Sequence, residues 1–388
     1  MNLPRVMPAK GVAVNIVIIG AGIFGASAAF HLARYGAKPT IIDAGLDGRA
    51  TAAGAGIICP WVKNLEDETF YRLYAGGGEY YPDLIAALAE AGETDLGYRQ
   101  SGAMLVSADP RELAAMERSV RQRDATAMGE VTRLSPAEAR SLFPPLADRL
   151  GAIHIAGGAR VDGRLLTAAM LRAAETYGAT VLQGHAVPAI ESGRVTGVDL
   201  NGDRIAADRL IVTAGAWVNR VLNLSLPIEP QRGQITHLLL DGTDTSAWPV
   251  ILPPTSHYIV AFDQGRIVAG ATREHGSGFD YRVTASGQAE VLHEALRIAP
   301  GLAAATLQET RVGFRPLGTE ARPLLGWVKQ IEGLAVGNGL GPSGLTMGPL
   351  AGRLLAELVT GKATSIDLAP FNPMRRVAKA SVHQDDMR

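Results

Sequence analysis

The chain has 388 residues, 47% of them hydrophobic, and carries 37 basic against 38 acidic side chains, a net charge of -1. Charges of both signs are interspersed, which excludes the long basic face that nucleic acid needs and the polybasic run that attracts anionic lipid, and leaves small neutral or zwitterionic partners. The single cysteine, Cys59, excludes an internal disulfide and a multi-cysteine metal site, and the length predicts two lobes rather than one small core.

The first twelve residues, "MNLPRVMPAKGV", lack the separate apolar core of a secretory signal, so no targeting segment is expected. Nowhere do about 18 apolar residues run together, so no spanning helix is expected either. A cytoplasmic location follows as the expectation, with peripheral membrane contact left open.

Residues 14–43, "VNIVIIGAGIFGASAAFHLARYGAKPTIID", predict a buried strand, a glycine turn, an alanine-rich helix and a second buried strand ending in an acid. Gly20, Gly22 and Gly25 are spaced as a dinucleotide fingerprint, and Asp43 follows Gly25 by 18 residues. Gly20 allows the tight turn, Gly22 lets the backbone approach a pyrophosphate, and Gly25 lets helix and strand pack closely. The helix N-terminus then presents free N–H groups to the phosphates, and Asp43 would accept from a ribose hydroxyl. His31 falls inside this helix, where packing or solvent contact is the expected role.

From about 65 to 150 the pattern is helical, with Asp109-Pro110 and Ser135-Pro136 as helix starts. At 160–215 a helix feeds a strand, a hairpin turns at Asn201-Gly202, and "RLIVTAG" is a buried strand. Residues 226–315 alternate in short runs, which predicts antiparallel sheet. "GLAVGNGLGPSGLTMGPLAGRLLAELVTG" predicts a strand, a glycine-rich loop and an apolar helix. A nucleotide lobe interrupted twice by a second lobe fits this order better than two lobes in series.

These segments together resemble the glycine oxidase and D-amino-acid oxidase family of FAD proteins, which includes sarcosine oxidase and D-amino-acid dehydrogenases. The resemblance covers most of the chain. It implies an α/β fold: a Rossmann-type FAD-binding domain (1–75, 150–225, 316–388) with an inserted α+β substrate domain built on an antiparallel sheet (76–149, 226–315). It implies that Gly20, Gly22, Ile23, Phe24, Gly25, Asp43 and Ala44 hold the nucleotide. In "GRATAAGAGI", Arg49, Ala50, Thr51, Ala55, Gly56 and Ile57 would run along the pyrophosphate, and Val187 in "GHAVPAI" would face the adenine through its backbone. Ala214, Gly215 and Trp217 in "VTAGAW" would lie under the cofactor. Gly339, Leu340, Gly341, Pro342, Ser343, Gly344, Leu345 and Thr346 would form the closing loop, whose N–H groups and helix dipole stabilise negative charge on the reduced flavin ring. Family members that attach FAD covalently use a first-loop histidine or a cysteine near the C-terminus. Here the first-loop position is Ala53 and no C-terminal cysteine exists, which implies non-covalent FAD.

The implied reaction is hydride transfer from the α-carbon of a small amino acid (a D-amino acid, glycine or N-methylglycine) to flavin N5, giving an imine that water hydrolyses to a 2-oxo acid. Oxygen or a quinone would be the electron acceptor. Such a step needs orientation more than an acid–base residue, so the lack of a triad or metal constellation is expected. Arg315, in "GFRP", matches the family's carboxylate anchor. A charge among apolar neighbours needs a partner, and Glu320 is the alternative to a substrate. By resemblance Tyr258 stands over the flavin, where its hydroxyl could meet a carboxylate; a core tyrosine is the other reading. Two departures matter: glycine oxidase has an arginine where this chain has Pro342, so its second carboxylate contact is absent or made by Ser343, and 65–150 matches only loosely. Few charged residues besides Arg315 stand near the expected flavin site, which predicts a small or apolar substrate. Oxidation of a 2-hydroxy acid, a flavin-binding protein without turnover, and an NAD-only dehydrogenase are the alternatives. No oligomeric state follows from the sequence.

Overall fold

A computed structural model describes residues 14–63, 67–123 and 125–375; the expectation for the first twelve residues lies outside them. The chain opens with β1 (Ile16–Ile19), α1 (Ile23–Arg34) and β2 (Thr40–Asp43), the expected strand, helix and strand. Every residue of β1 is buried, because parallel pairing with β2 places it inside the sheet. At Gly25 a Cβ would stand 1.9 Å from the carbonyl oxygen of Gly20, so only glycine lets α1 approach the strand turn this closely.

The middle of the chain supplies β3 (Ile57–Ile58), α2 (Glu68–Glu79), α3 (Tyr81–Glu90), β4 (Ala103–Ser107), α4 (Pro110–Arg121), β5 (Val131–Leu134) and α5 (Pro136–Leu142). Then come β6 (Gly151–Ile155), β7 (Ala159–Arg160), α6 (Gly163–Thr176), β8 (Thr180–Gln183), β9 (Ala186–Glu191), β10 (Arg194–Leu200), β11 (Asp203–Ala206), β12 (Arg209–Val212) and α7 (Val218–Val221). The last third adds β13 (Ile228–Leu239), β14 (Val250–Leu252), β15 (Tyr258–Ala261), β16 (Arg266–Gly270), α8 (Ala285–Ile298), β17 (Thr306–Gly318), β18 (Leu324–Trp327), β19 (Leu334–Asn338) and α9 (Gly344–Val359).

Two large sheets organise these elements. The first has the order β18-β19-β12-β1-β2-β8, parallel except at the β18 edge. Helices α1, α6 and α9 cover one face, and α2 packs against α9. The other face is covered by the small sheet β11-β10-β9, through a core that includes Val17, Val198 and Val212. The second large sheet has the order β17-β13-β16-β15-β14-β4-β6-β5 and is antiparallel apart from the β14–β4 pair. Its longest strands, β13 and β17, pair over almost their whole length, and the end of β17 reaches the Ala50–Ala53 turn of the first unit. This contact brings the two sheets' functional ends together.

The mixed α/β class and the Rossmann-type sheet agree with expectation, as do the Asp109 cap, the Ser135 capping box and the turn at Asn201 and Gly202, both at positive φ. Two expectations need correction. Residues 65–150 are not all helical, because β4 and β5 join the second sheet; β4 is buried at every position, and a continuous apolar run has no periodicity to separate strand from helix. Residues 226–315 are not all sheet, because Thr284 accepts from Gly287 N and starts α8. Strand β6 belongs to the second sheet, and α3, through Leu84 and Leu88, to the core of the first.

Among the described residues no helix is long and apolar enough to cross a membrane.

Candidate active site

The strand ends of the first sheet open into a long groove that runs from Asp43 past Gly22 and Thr51 to the Gly339–Thr346 loop. Of the residues expected to hold the nucleotide, Gly20, Gly22, Ile23, Phe24, Asp43, Ala44, Arg49, Ala50, Thr51, Ala55, Gly56 and Ile57 line it. So do Ala214, Gly215, Trp217, Gly339, Leu340, Gly341, Pro342, Gly344, Leu345 and Thr346. Three do not. Gly25 serves helix–strand packing behind the groove; Val187 sits on β9, outside the lining, with its residue 59% exposed; Ser343 is buried and bonded elsewhere.

The groove is shaped and polarised for an extended dinucleotide. Helix α1 begins at Gly22 with no side-chain cap and no acidic residue in its first turn, so its positive end meets the groove. A Cβ on Gly22 would meet only the Thr51 hydroxyl oxygen, 3.3 Å away, leaving the backbone itself as the wall. At the end of β2, Asp43 accepts from Ala21 N at 2.7 Å and Gly45 N at 2.8 Å, and Arg49 Nη1 donates to it at 3.2 Å, which fixes the carboxylate at the groove wall. Helix α9 aims a second uncapped N-terminus at the opposite end. Ala53 lines the groove and offers no attachment atom; Cys59 is buried, is absent from the lining, and burial pushes its thiol up to about 12.

Beyond the glycine loop the second sheet contributes Tyr258 and Arg315, both at the groove wall. β17 places Arg315 opposite Gln231 on β13. Arg315 Nη1 donates to Thr272 O at 3.0 Å and to Gln231 Oε1 at 3.3 Å, and Gln231 Nε2 in turn meets His275 Nε2 at 2.9 Å. The guanidinium lies on Gly233, where a Cβ would come within 2.6 Å of both Nη1 and Nη2, so any larger residue at this position would displace it. Glu320, the expected alternative partner, is paired instead with Arg375. Among the described residues no carboxylate forms an ion pair with Arg315. Burial raises the Tyr258 pKa, while the charge of Arg315 and its hydrogen bond to Tyr258 oppose the rise, so the phenol stays protonated as a donor.

Two further cations stand at this end of the site and were not among the sequence candidates. Arg273 follows Thr272, the residue that holds Arg315; burial lowers its pKa first and the Arg315 charge second, with Tyr258 opposing. Lys63 Nζ donates to Ser343 Oγ at 3.3 Å and lies 5.2 Å from the centre of the Tyr74 ring. Burial, then the Arg273 charge, lowers the Lys63 pKa to about 8. Ser343 therefore faces Lys63 rather than the groove. The only sequence signal for Lys63 was a single lysine after the apolar "CPWV". His31 accepts or donates at 3.0 Å to the Tyr80 hydroxyl inside the core, far from any chemistry.

Comparison with known proteins agrees with this geometry. The sequence profile of the family described as DAO, FAD dependent oxidoreductase, matches residues 15–358. The crystal structure of iminodiacetate oxidase from Chelativorans sp. BNC1 is similar with a TM-score of 0.90 and 53% identity, over 92% of this chain and 99% of that one. Glycine oxidase from Geobacillus kaustophilus gives a TM-score of 0.84 at 28% identity, over 94% and 99% of the two chains. The uncharacterized oxidoreductase YurR of Bacillus subtilis (strain 168) is 49% identical over 94% of this chain and its own full length.

Proposed function

The chain belongs to the DAO family of FAD-dependent oxidoreductases, acting on CH–NH donors, and on that premise we propose that it oxidises the carboxylate-bearing carbon of a small amine: glycine, an N-substituted glycine or a small D-amino acid. The product is an imine that water hydrolyses to a 2-oxo acid and the free amine.

The observation that supports this reading is Arg315, a fixed guanidinium at the flavin-loop end of the groove with no carboxylate paired to it among the described residues. A substrate carboxylate would take the remaining N–H donors as a fork. Tyr258 would donate to a second oxygen or lone pair of the same carboxylate. Bound FAD supplies the two-electron acceptor, held by the α1 terminus, Asp43 and the Gly339–Thr346 loop. Thr272 and Gln231 keep the anchor from turning, so the α-carbon is presented in one orientation, and this restriction is the protein's main contribution to rate. The electrons would pass on to oxygen or a quinone. The names of the similar proteins, glycine oxidase and iminodiacetate oxidase, support a small nitrogen-bearing carboxylate as substrate.

Product analysis tests the reading. Incubation with glycine or an N-substituted glycine should release glyoxylate, since the oxidised carbon is the one next to the anchored carboxylate. Turnover without glyoxylate, or no turnover with any amine carboxylate, would refute it.

A further inference from the structure

The hydrogen bonds that orient Arg315 continue beyond Gln231 to the surface. A guanidinium has donors only, so the Gln231 side-chain oxygen is the atom that faces Arg315, at 3.3 Å, and the amide NH2 is turned to His275 Nε2, at 2.9 Å. That end of the amide can only donate. His275 Nε2 therefore accepts, which fixes a neutral ring with its proton on Nδ1. Gln231 is buried and His275 is exposed, so this chain of bonds links solvent to the anchor.

Backbone pairing holds the contact in register. Arg232 N donates to Glu274 O at 3.1 Å and Glu274 N to Arg232 O at 2.9 Å, an antiparallel bridge between β13 and the loop after β16. Gln231 and His275 stand opposite each other next to that bridge, and the alternation of side chains along β13 puts them on the face that carries Arg315. The charged groups of the flanking elements are Glu229 and Arg232 on β13, Arg315 on β17, and Arg273 and Glu274 in the loop itself. Of these, Arg232 is engaged by Glu274 and Asp280.

Resting on the reading of Arg315 as the carboxylate anchor, we infer that His275 is a positioning residue that holds this anchor through Gln231 and loosens it on protonation. An imidazolium carries a proton on both nitrogens, so Nε2–H and the Gln231 NH2 become two donors face to face. If the amide turns to offer its oxygen to His275, its NH2 meets the Arg315 guanidinium, again donor against donor. The buried amide cannot satisfy both neighbours, and Arg315 then keeps only the Thr272 carbonyl. The effect on substrate has the opposite sign to simple attraction, since a positive charge added at His275 would by itself favour a carboxylate.

Calorimetric binding of methoxyacetate to the oxidised full-length holoenzyme, from about pH 8 to about pH 5.5 where histidines titrate, tests this without turnover. The probe keeps its carboxylate ionised across that range and has no amine to titrate. In the wild type its Kd should rise about fivefold or more towards the acid end, the scale of one hydrogen bond. In His275→Gln, whose amide oxygen accepts as the neutral ring does and takes up no proton in this range, Kd should stay within about twofold. A wild-type Kd that is flat, or that falls with acid as charge attraction alone requires, overturns the inference and leaves the proposed function standing; this arm requires no variant to fold. An acid rise that persists in His275→Gln also overturns it. Binding at pH 8 that is equal, or absent, in both the wild type and Arg315→Ala removes the anchor itself, and the proposed function and this inference fall together.

Discussion

Gln231 and Arg315 face each other across the β13–β17 ladder, and the amide oxygen of Gln231 accepts from Arg315 Nη1 at 3.3 Å. A neutral acceptor orients the guanidinium without neutralising it, whereas a carboxylate at the same place would compete with substrate. Gln231→Glu should therefore raise KM for an amine carboxylate by about ten- to a hundredfold, with kcat at saturation far less affected, and Gln231→Leu should raise it only severalfold. Steady-state KM and kcat of the two variants check this; a Gln231→Glu enzyme with wild-type KM would show that Arg315 does not meet the substrate carboxylate.

Arg315→Lys keeps the charge and loses the fork, and Arg315→Ala loses both. The alanine variant should lose about ten- to a hundredfold in kcat/KM, from charge-assisted bonds worth roughly 1.5 to 3 kcal/mol, with lysine intermediate. Because Glu320 is paired with Arg375 and not with Arg315, flavin content and melting temperature should hardly change. A variant that sheds FAD or unfolds, while its remaining holoenzyme keeps normal kcat/KM, would make Arg315 a structural residue.

Acid precipitation of the purified yellow protein should leave FAD in the supernatant, since Ala53 and the buried Cys59 offer no attachment. Gly22→Val should abolish flavin binding: its Cβ would press on the Thr51 hydroxyl and its methyl groups would fill the space at the α1 terminus. Absorbance near the flavin bands measures both. Flavin that stays with the pellet, or a Gly22→Val protein that remains yellow, contradicts the assignment.

His31 governs part of the acid stability. Burial, then the charges of Arg353 and Arg34, lowers its pKa from 6.5 to about 3. Between these values the unfolded chain binds the proton that the folded chain refuses, so stability falls as pH drops from 6.5 towards 3, by about 5 kcal/mol at most. Urea unfolding across this window should have a shallower pH dependence in His31→Gln than in the wild type. Identical slopes would show that His31 titrates alike in both states.

Much of this was legible before folding, for identifiable reasons. The glycine spacing, the buried strands and Asp43 lie within thirty consecutive residues, where local pattern decides structure, and they arrive where expected. Arg315 stood out as one charge in an apolar run, and it lies at the groove wall. The strand β4 was not, since full burial removes periodicity, and α8 was not, since its cap and polar face resemble a turn. The surroundings of Lys63 could not be seen: it donates to Ser343, 280 residues away, and lies against the Tyr74 ring. Ser343 was expected in the closing loop, with the second carboxylate contact either absent or made by it; its hydroxyl instead accepts from Lys63, a lysine from the first part of the chain.

Anaerobic mixing of the holoenzyme with single candidate substrates, followed by flavin absorbance, tests the central claim that Arg315 presents an amine carboxylate for oxidation. Glycine, N-substituted glycines or small D-amino acids should bleach the flavin of the wild type, Arg315→Ala should slow that bleaching at subsaturating substrate by about tenfold or more, and glycolate should leave the spectrum unchanged. Bleaching by glycolate with none by any amine, or amine bleaching at equal rates in the wild type and Arg315→Ala, would contradict the account.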